Sequence, residues 1–323
     1  MPWRDAMHQA LYGRAGFFTI HAPAEHFRTS ATTSPWFATA LARLAVRVDA
    51  ALGGGRFDIV DIGAGRAELL LGIAPNLDSD LRKRSRFTGV EIAPRPEDLP
   101  DWIDWLAEPP DHVTGLLVAT EWLDNVPVDV AERDAAGEWR RVLVDPATGA
   151  EKVDGPMAAD DAEWLRRWWP SGVRAEPGGP RDAAWAEAVG SLDRGLAVAV
   201  DYGHVADARP AGGTLTGYRG GRQVAPVPDG SCDLTAHVAV DAVATAGERA
   251  AGRPSQLLDQ RTALRALGVD GTRPPLSLAS ENPSEYVRAL AAATQAAELT
   301  DPYGLGAHYW LLQPVDISVR LEG

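Results

Sequence analysis

Hydrophobic positions between residues 57 and 70 predict a strand, a tight loop and a helix. In the sequence FDIVDIGAGRAELL, the apolar residues from Phe57 to Ile62 suit a buried strand, which Asp61 interrupts near its end. Two glycines follow one residue apart, and the leucines after them recur at helical spacing. This order begins a βαβ unit, in which the N-terminus of the helix is a common ligand-binding position.

Similar patterns along the chain predict an alternation of strands and helices. A long helix is predicted from Pro35, with Ser34 as its N-cap, and a hairpin is predicted at VDVAERD and EWRRVLV. Further strands are predicted at RFTGVE, GLLVAT, GLAVAVDYG, DLTAHV and GAHYWLLQPVDISVRL. Further helices are predicted twice within 158–192 and near 255–267 and 284–298. We therefore predict an α/β fold, with a mostly parallel sheet covered by helices on both faces.

We predict two parts within this fold. Residues 1–55 form a helical segment that contributes to the functional site. Residues 56–323 form a Rossmann-like domain, with inserted helices and a hairpin around 126–192.

Composition and charge narrow the classes of partner. Apolar residues make up 45% of the chain, and the net charge is −14, which argues against nucleic acid or anionic lipid as the main partner. An acidic surface suits a small molecule or a cationic substrate. Cys232 is the only cysteine, so a reducing compartment fits, and the longest clean apolar run, 196–200, is too short to span a bilayer. With no apolar segment typical of a secretory signal near the N-terminus, we predict a cytoplasmic protein without membrane insertion.

Four acidic residues follow the ends of predicted strands. Glu91 ends the second strand, Glu121 and Asp124 follow the third, and Asp201 ends a later one. In a parallel sheet, ligands bind beyond the carboxyl ends of the strands. We therefore predict that these four side chains meet at one site.

The glycine loop, Gly63-Ala64-Gly65, favours one class of ligand. A dinucleotide fingerprint requires Gly or Ala where this chain has Glu68, and the Gly-Lys-Ser/Thr ending of a phosphate-binding loop is absent. A ligand with a nucleoside and a carboxylate but no phosphate remains, and S-adenosylmethionine (SAM) fits. We expect the loop amides and the helix N-terminus to meet its carboxylate, and Glu91 to accept hydrogen bonds from its ribose. The alternative is that the loop is only a turn between a strand and a helix.

Several blocks of the chain resemble a known family. In order, they are GFF from Gly16, HFRTS…SPWF, DIGAGRAEL, ATEWLDNVPV, VDYG, GTLTGYR, CDLTAHV and DPYGLGAHYWLL. By these blocks the chain resembles the MidA-like methyltransferases, which include a mitochondrial complex I assembly factor. The resemblance implies a class I SAM-dependent fold and, from the mitochondrial member, methylation of arginine on a protein.

The chain also departs from the family pattern. Ala64 stands where the family often has proline, Ala67 where glycine is usual, Thr120 where asparagine occurs, and Gly220 where histidine is common. We expect SAM binding to survive these changes. The predicted cofactor-binding residues are Asp61, Gly63, Ala64, Gly65, Glu91 and Thr120.

Methyl transfer to a guanidinium defines the chemistry that the remaining residues must supply. The group stays protonated in water, so carboxylates must hold it and localise its charge. The predicted catalytic residues are Glu121, Asp124 and Asp201, with the alternative that Asp124 or Asp201 caps a turn. We interpret His237 as a core residue rather than a general base. No motif predicts a metal site.

The leading functional hypothesis is a SAM-dependent methyltransferase that acts on an arginine of a partner protein. By the family resemblance, that partner is a subunit of a respiratory complex. Two alternatives remain open: a small-molecule methyltransferase of the same fold, and a SAM-binding assembly factor that works without turnover.

Overall fold

The computed structural model of the chain describes residues 1–20 and 30–322. The helices are α1 (Trp3–Tyr12), α2 (Phe17–Ile20), α3 (Ser30–Thr33), α4 (Pro35–Leu52), α5 (Glu68–Ile73), α6 (Ser79–Arg84), α7 (Ala159–Trp168), α8 (Gly179–Gly190), α9 (Val240–Ala251), α10 (Gln260–Ala266), α11 (Leu276–Glu281) and α12 (Pro283–Leu299). Most of the HFRTS block of the family resemblance lies outside the described residues.

The strands alternate with these helices over much of the chain. They are β1 (Phe57–Ile62), β2 (Ser85–Val90), β3 (Ile103–Leu106), β4 (Val113–Thr120), β5 (Ala131–Arg133), β6 (Trp139–Val144), β7 (Glu151–Pro156), β8 (Arg174–Ala175), β9 (Leu192–Asp201), β10 (Gly203–His204), β11 (Thr216–Arg219), β12 (Arg222–Val224), β13 (Asp233–Thr235), β14 (Val238–Ala239), β15 (Gln256–Asp259) and β16 (Tyr309–Val315).

A central sheet organises the fold, with the strand order β15-β16-β9-β4-β1-β2-β3. The pairs from β9 to β3 are parallel, whereas β16 runs antiparallel to both β9 and β15. Side chains of β1 alternate between two cores. Ile59 packs with α4, α5 and α12 on one face, and Val60 packs with α8 and α9 on the other. The predicted α/β fold with helices on both faces is confirmed.

The long helix α4 shows how local sequence sets an element. The hydroxyl of Ser34 accepts a hydrogen bond from the N–H of Trp36 at 3.3 Å, and Pro35 occupies the first turn. Gly53 ends the helix in the left-handed conformation, with φ of 84°, which a glycine adopts at little cost. The predicted N-cap is confirmed. Helix α4 packs in the same core as β1. The predicted division of the chain at residue 55 stays a prediction.

The prediction of a single helix near 255–267 is wrong at its beginning. Residues Gln256–Asp259 form β15, which pairs antiparallel with β16, and helix α10 begins only at Gln260. Pairing with a strand more than fifty residues away decides this conformation, so the local pattern does not reveal it. The predicted strand DLTAHV likewise consists of two short strands, β13 and β14, in different sheets.

Two insertions rise beside the central sheet. The predicted hairpin is confirmed as β5 and β6, which belong to a four-stranded sheet with β7 and β8, and the two helices predicted within 158–192 are α7 and α8. A second insertion, residues 203–239, contains the three-stranded sheet β12-β11-β13. The first insertion follows the carboxyl end of β4, and the second follows the carboxyl end of β9.

Across the described part of the chain, none of the helices combines the length and apolar character needed to cross a bilayer.

Candidate active site

A cavity of about 1260 Å³ opens at the carboxyl ends of β1, β2, β4 and β9. All six predicted cofactor-binding residues line it, as do two of the three predicted catalytic residues, Glu121 and Asp124. Asp201 is not part of its wall. The cavity therefore brings together all but one of the residues that the sequence singles out.

The glycine loop owes its shape to left-handed backbone conformations. Gly63 and Gly65 have φ of 71° and 57°, values that side chains with a β-carbon rarely adopt. Ala67 shares this conformation, with φ of 66°. Position 67 is where the resembling family usually has glycine, so the backbone geometry gives a physical reason for the family pattern.

The amides of the loop are already paired within the protein. The N–H groups of Gly63 and Ala64 donate to the carbonyl of Val90 at 3.0 and 3.2 Å, and that of Gly65 donates to the carboxylate of Glu91 at 3.1 Å. The N–H of Arg66 donates to the carboxylate of Glu68 at 2.9 Å, and that of Ala67 donates to the carbonyl of Ala64 at 2.7 Å. The expectation that amides of this loop and the helix N-terminus meet the carboxylate of SAM stays a prediction. The loop contributes close backbone approach rather than free donors.

Glu91 lines the cavity beside the glycine loop. One carboxylate oxygen accepts the Gly65 N–H, and the other accepts the N–H of Ile92 at 2.8 Å. The neighbouring Asp61 is buried, and burial together with the charges of Glu68 and Glu91 raises its pKa well above the usual value. Three carboxyl groups, those of Asp61, Glu68 and Glu91, are therefore crowded together at this end of the cavity.

The donors and acceptors at this end fit SAM. The hydroxyl of Thr120 is buried without a hydrogen-bond partner, which is costly unless a ligand supplies one. Carboxylates suit an ammonium group, a sulfonium and ribose hydroxyls, and they oppose a phosphate. Asp61, Glu91 and Thr120 would hold the cofactor.

Glu121 lines the cavity and has a strained backbone conformation. Its φ is 50°, which is unusual for a residue with a long side chain. Its carboxylate accepts the N–H of Ser30 at 2.8 Å and lies 3.9 Å from Nδ1 of His308. Burial raises the pKa of Glu121 from 4.5 to about 7. The group is therefore poised between its neutral and ionised forms near neutral pH.

Asp124 is held by neutral donors on one side only. The Tyr202 hydroxyl donates to Oδ2, and the Thr235 hydroxyl donates to the same atom at 2.7 Å. The other oxygen, Oδ1, is buried without a partner. Burial raises the pKa of this carboxyl group. A buried carboxylate oxygen without a partner is costly unless a donor reaches it.

Asp201 shapes the site from behind. Its Oδ2 accepts the backbone N–H groups of Leu123 and Asp124 at 3.0 and 3.2 Å. The carboxylate thus fixes the short turn that carries Asp124. This position supports the alternative left open by the sequence, in which Asp201 caps a turn, over direct contact with a substrate.

Arg181 joins the loops on the two sides of the site. It is 2% exposed and donates to the main-chain carbonyls of Asp124 at 2.6 Å and Ala236 at 2.9 Å, besides those of Val126 and His237. The planar guanidinium suits several acceptors at once. The loop after β4 and the loop after β13 are thereby locked together.

Sequence patterns miss several residues of the cavity wall. Tyr12, Asp233 and His308 line it, and each comes from a segment distant in sequence from the glycine loop. The motifs CDLTAHV and GAHYWLL contain two of them, but only as family blocks. The interpretation of His237 as a core residue is wrong, because the side chain is exposed and lines the cavity beside Tyr202, at a ring distance of 5.3 Å.

The charge of the cavity wall has one sign. Its acidic residues are Asp61, Glu68, Glu91, Glu121, Asp124 and Asp233. Among the described residues, no lysine or arginine lines the cavity. Residues 1–20 and 30–322 likewise include no group of three or more His, Cys, Asp or Glu side chains arranged to hold a metal ion. The wall therefore favours organic cations as ligands.

Known proteins with a similar sequence or structure support this description. A family model of S-adenosyl-L-methionine-dependent methyltransferases matches residues 40–257. The crystal structure of a Burkholderia thailandensis protein with S-adenosylhomocysteine bound superposes with a TM-score of 0.82 at 23% identity, covering 99% of this chain and 89% of that one. A native crystal structure of a protein of the same superfamily, from the same organism, has a TM-score of 0.79 at 23% identity, with equal coverage. No curated protein matches in sequence.

The strand order, the glycine loop and the acidic cavity define a class I SAM-dependent methyltransferase, with SAM as its cofactor. The chain belongs to the family of S-adenosyl-L-methionine-dependent methyltransferases whose model spans residues 40–257. The resemblance to MidA-like methyltransferases is confirmed.

Replacing Glu91 by alanine should weaken SAM binding. Loss of hydrogen bonds to a charged group costs roughly 1–3 kcal/mol, which corresponds to a rise in Kd of about 5- to 150-fold. Titration calorimetry measures this change. Glu97→Ala, an exposed position in the following loop, is the control and should leave Kd unchanged. An equal Kd for Glu91→Ala and wild type would show that the ribose partner lies elsewhere.

Replacing Glu121 by glutamine should stabilise the protein at alkaline pH. The pKa of Glu121 is about 7 in the folded chain and near 4.5 when unfolded, so the folded state holds more protons between these values. Stability therefore falls as pH rises through this window, by up to about 3 kcal/mol. Glutamine carries no such penalty.

The free energy of unfolding, measured with urea at pH 4 and pH 8, tests this linkage. The variant should exceed wild type at pH 8 and approach it at pH 4. A difference of the same size at both values would contradict the raised pKa.

Proposed function

We propose that the protein transfers a methyl group from SAM to an arginine side chain of a partner protein. The observation that carries the proposal is the acidic wall at the end of the cavity away from the glycine loop. There Glu121, Asp124 and Asp233 line the space, and no lysine or arginine of the described residues lines it with them. A cationic acceptor supplies the missing charge.

A guanidinium matches the acceptors that these residues present. Its five N–H donors lie in one plane and bond carboxylates in pairs. Among the described residues, Oδ1 of Asp124 has no hydrogen-bond partner, and the carboxylate of Glu121 accepts a hydrogen bond from the Ser30 amide. Both carboxylates can therefore accept substrate donors without giving up the bonds that orient them.

The chain's own groups would position the acceptor and manage its proton. Bound SAM supplies a methyl group on a positively charged sulfur. Glu121 and Asp124 would hold the guanidinium, fix one nitrogen in line with that methyl and draw the positive charge away from it. With its pKa near 7, Glu121 is also suited to take the proton that the nitrogen loses.

The size of the cavity supports a substrate that enters as a side chain beside the cofactor. Its volume of about 1260 Å³ exceeds the 300–1,000 Å³ typical of a pocket for one small ligand. His8, Tyr12 and Phe18 form part of its wall. We therefore assign the N-terminal helical segment a role in the site. We further propose that the protein acts in the cytoplasm. The partner that the family resemblance implies is a subunit of a respiratory complex.

Labelled SAM distinguishes this function from its alternatives. The protein is incubated with methyl-labelled SAM and a lysate of the source organism, and the products are separated by size. The proposal requires label on a protein band and, after acid hydrolysis, on methylarginine. Label on a small molecule would establish the small-molecule alternative, and absence of label would favour an assembly factor without turnover.

Glu121→Gln should separate cofactor binding from transfer. The substitution keeps the shape of the side chain and removes the charge that pairs with a guanidinium. We expect SAM affinity within about threefold of wild type and methyl transfer lower by on the order of 10²-fold. Glu138→Gln, in the exposed turn of the hairpin, is the control. Parallel loss of SAM binding and transfer would instead make Glu121 a cofactor ligand.

A further inference from the structure

Asp233 is a buried carboxylate without a cationic partner. It begins β13 in the second insertion, is 7% exposed and lines the cavity. In the part of the chain that the structure describes, it forms no ion pair with lysine, arginine or histidine. A buried carboxylate in this state is costly to ionise, and burial and the charge of Asp124 raise its pKa well above the usual value. Such a cost is balanced when a ligand brings the missing cation.

The orientation of Asp233 is fixed by neutral groups. The Asn125 side-chain amide donates to Oδ1 of Asp233 at 2.8 Å and also to the carbonyl of Leu234 at 3.2 Å. The Tyr12 hydroxyl in turn donates to the backbone carbonyl of Asn125 at 3.2 Å. These bonds set the carboxylate in place before a ligand arrives, and they leave it uncompensated in charge.

Asp233 reaches the cavity from a different segment than the other two substrate carboxylates. Glu121 and Asp124 follow β4, whereas Asp233 comes from the insertion between β9 and α9. Arg181 bonds carbonyls of both loops and so holds their spacing. Asp124 lines the same cavity, and its Oδ1 is buried without a hydrogen-bond partner, which is a second carboxylate cost independent of Asp233.

We infer that Asp233 is a third substrate-binding carboxylate, which makes the site select a guanidinium over an ammonium group. The inference rests on the proposed function and adds the basis of its specificity. A guanidinium presents donors along several edges of a flat group, so acceptors on two loops engage it at once. An ammonium is a compact charge with three donors, and one loop with Glu121 and Asp124 satisfies it.

Binding of two matched peptides tests the inference without turnover. N-acetylated tripeptides Gly-Arg-Gly and Gly-Lys-Gly are titrated by calorimetry into the protein saturated with S-adenosylhomocysteine. Wild type should bind the arginine peptide at least tenfold more tightly. Asp233→Asn should weaken the arginine peptide at least tenfold and the lysine peptide less than threefold, with S-adenosylhomocysteine affinity unchanged as evidence of folding.

Two further variants frame the result. Asp229→Asn, an exposed position in the same insertion, is the matched control and should bind like wild type. Asp233→Glu should recover part of the preference, because it restores the charge. If Asp233→Asn binds the arginine peptide normally while Glu121→Gln does not, the inference is overturned and the proposed function stands. If wild type binds neither peptide, both fail.

Discussion

The crowding of carboxyl groups into one cavity is the constraint on which the rest of this site depends. Parallel strands deliver them to one edge of the sheet, since β1, β2 and β4 end side by side. No arginine or lysine of the described residues lines the cavity to neutralise them. Burial raises the pKa of Asp61, Glu121, Asp124 and Asp233, and neutral hydroxyl and amide groups donate hydrogen bonds to Asp124 and Asp233. A cationic ligand in this cavity would favour the ionised carboxylates and so offset the cost of their burial.

The supporting residues follow from the same constraint. The carboxylate of Asp201 accepts two amides of the turn that carries Asp124, and the guanidinium of Arg181 donates to four main-chain carbonyls. The left-handed backbone of Glu121, at φ of 50°, adds a further unfavourable free energy at this site. Stability and function thus oppose each other at this residue.

The parts of the fold and site that the sequence predicts are those set by local patterns. Ser34 and Pro35 begin a helix by themselves, and the apolar run of β1 with its two glycines identifies the cofactor loop. The edge at which Glu91, Glu121 and Asp124 meet follows from the general geometry of parallel sheets.

Features that depend on distant partners escape the local pattern. β15 is a strand because β16 pairs with it, while its sequence alone suits a helix. Asp233 reaches the cavity from the second insertion, and His308 approaches Glu121 because β16 pairs with β9 in the central sheet. The loop amides donate hydrogen bonds to Val90 and Glu91, and a sequence motif does not reveal these bonds. The glycine loop and Glu68 already favour SAM in the sequence, and the family resemblance agrees, whereas the charge of the cavity wall becomes visible only in three dimensions.

The central claim is that one cavity holds SAM at its glycine loop and a guanidinium between its substrate carboxylates. A crystal structure with S-adenosylhomocysteine and an arginine peptide tests it most directly. The account predicts the nucleoside beside Glu91 and the guanidinium nitrogens roughly 3 Å from the carboxylate oxygens of Glu121 and Asp124. A peptide bound with its guanidinium outside this cavity, or a nucleoside contacting Glu121, would contradict the account.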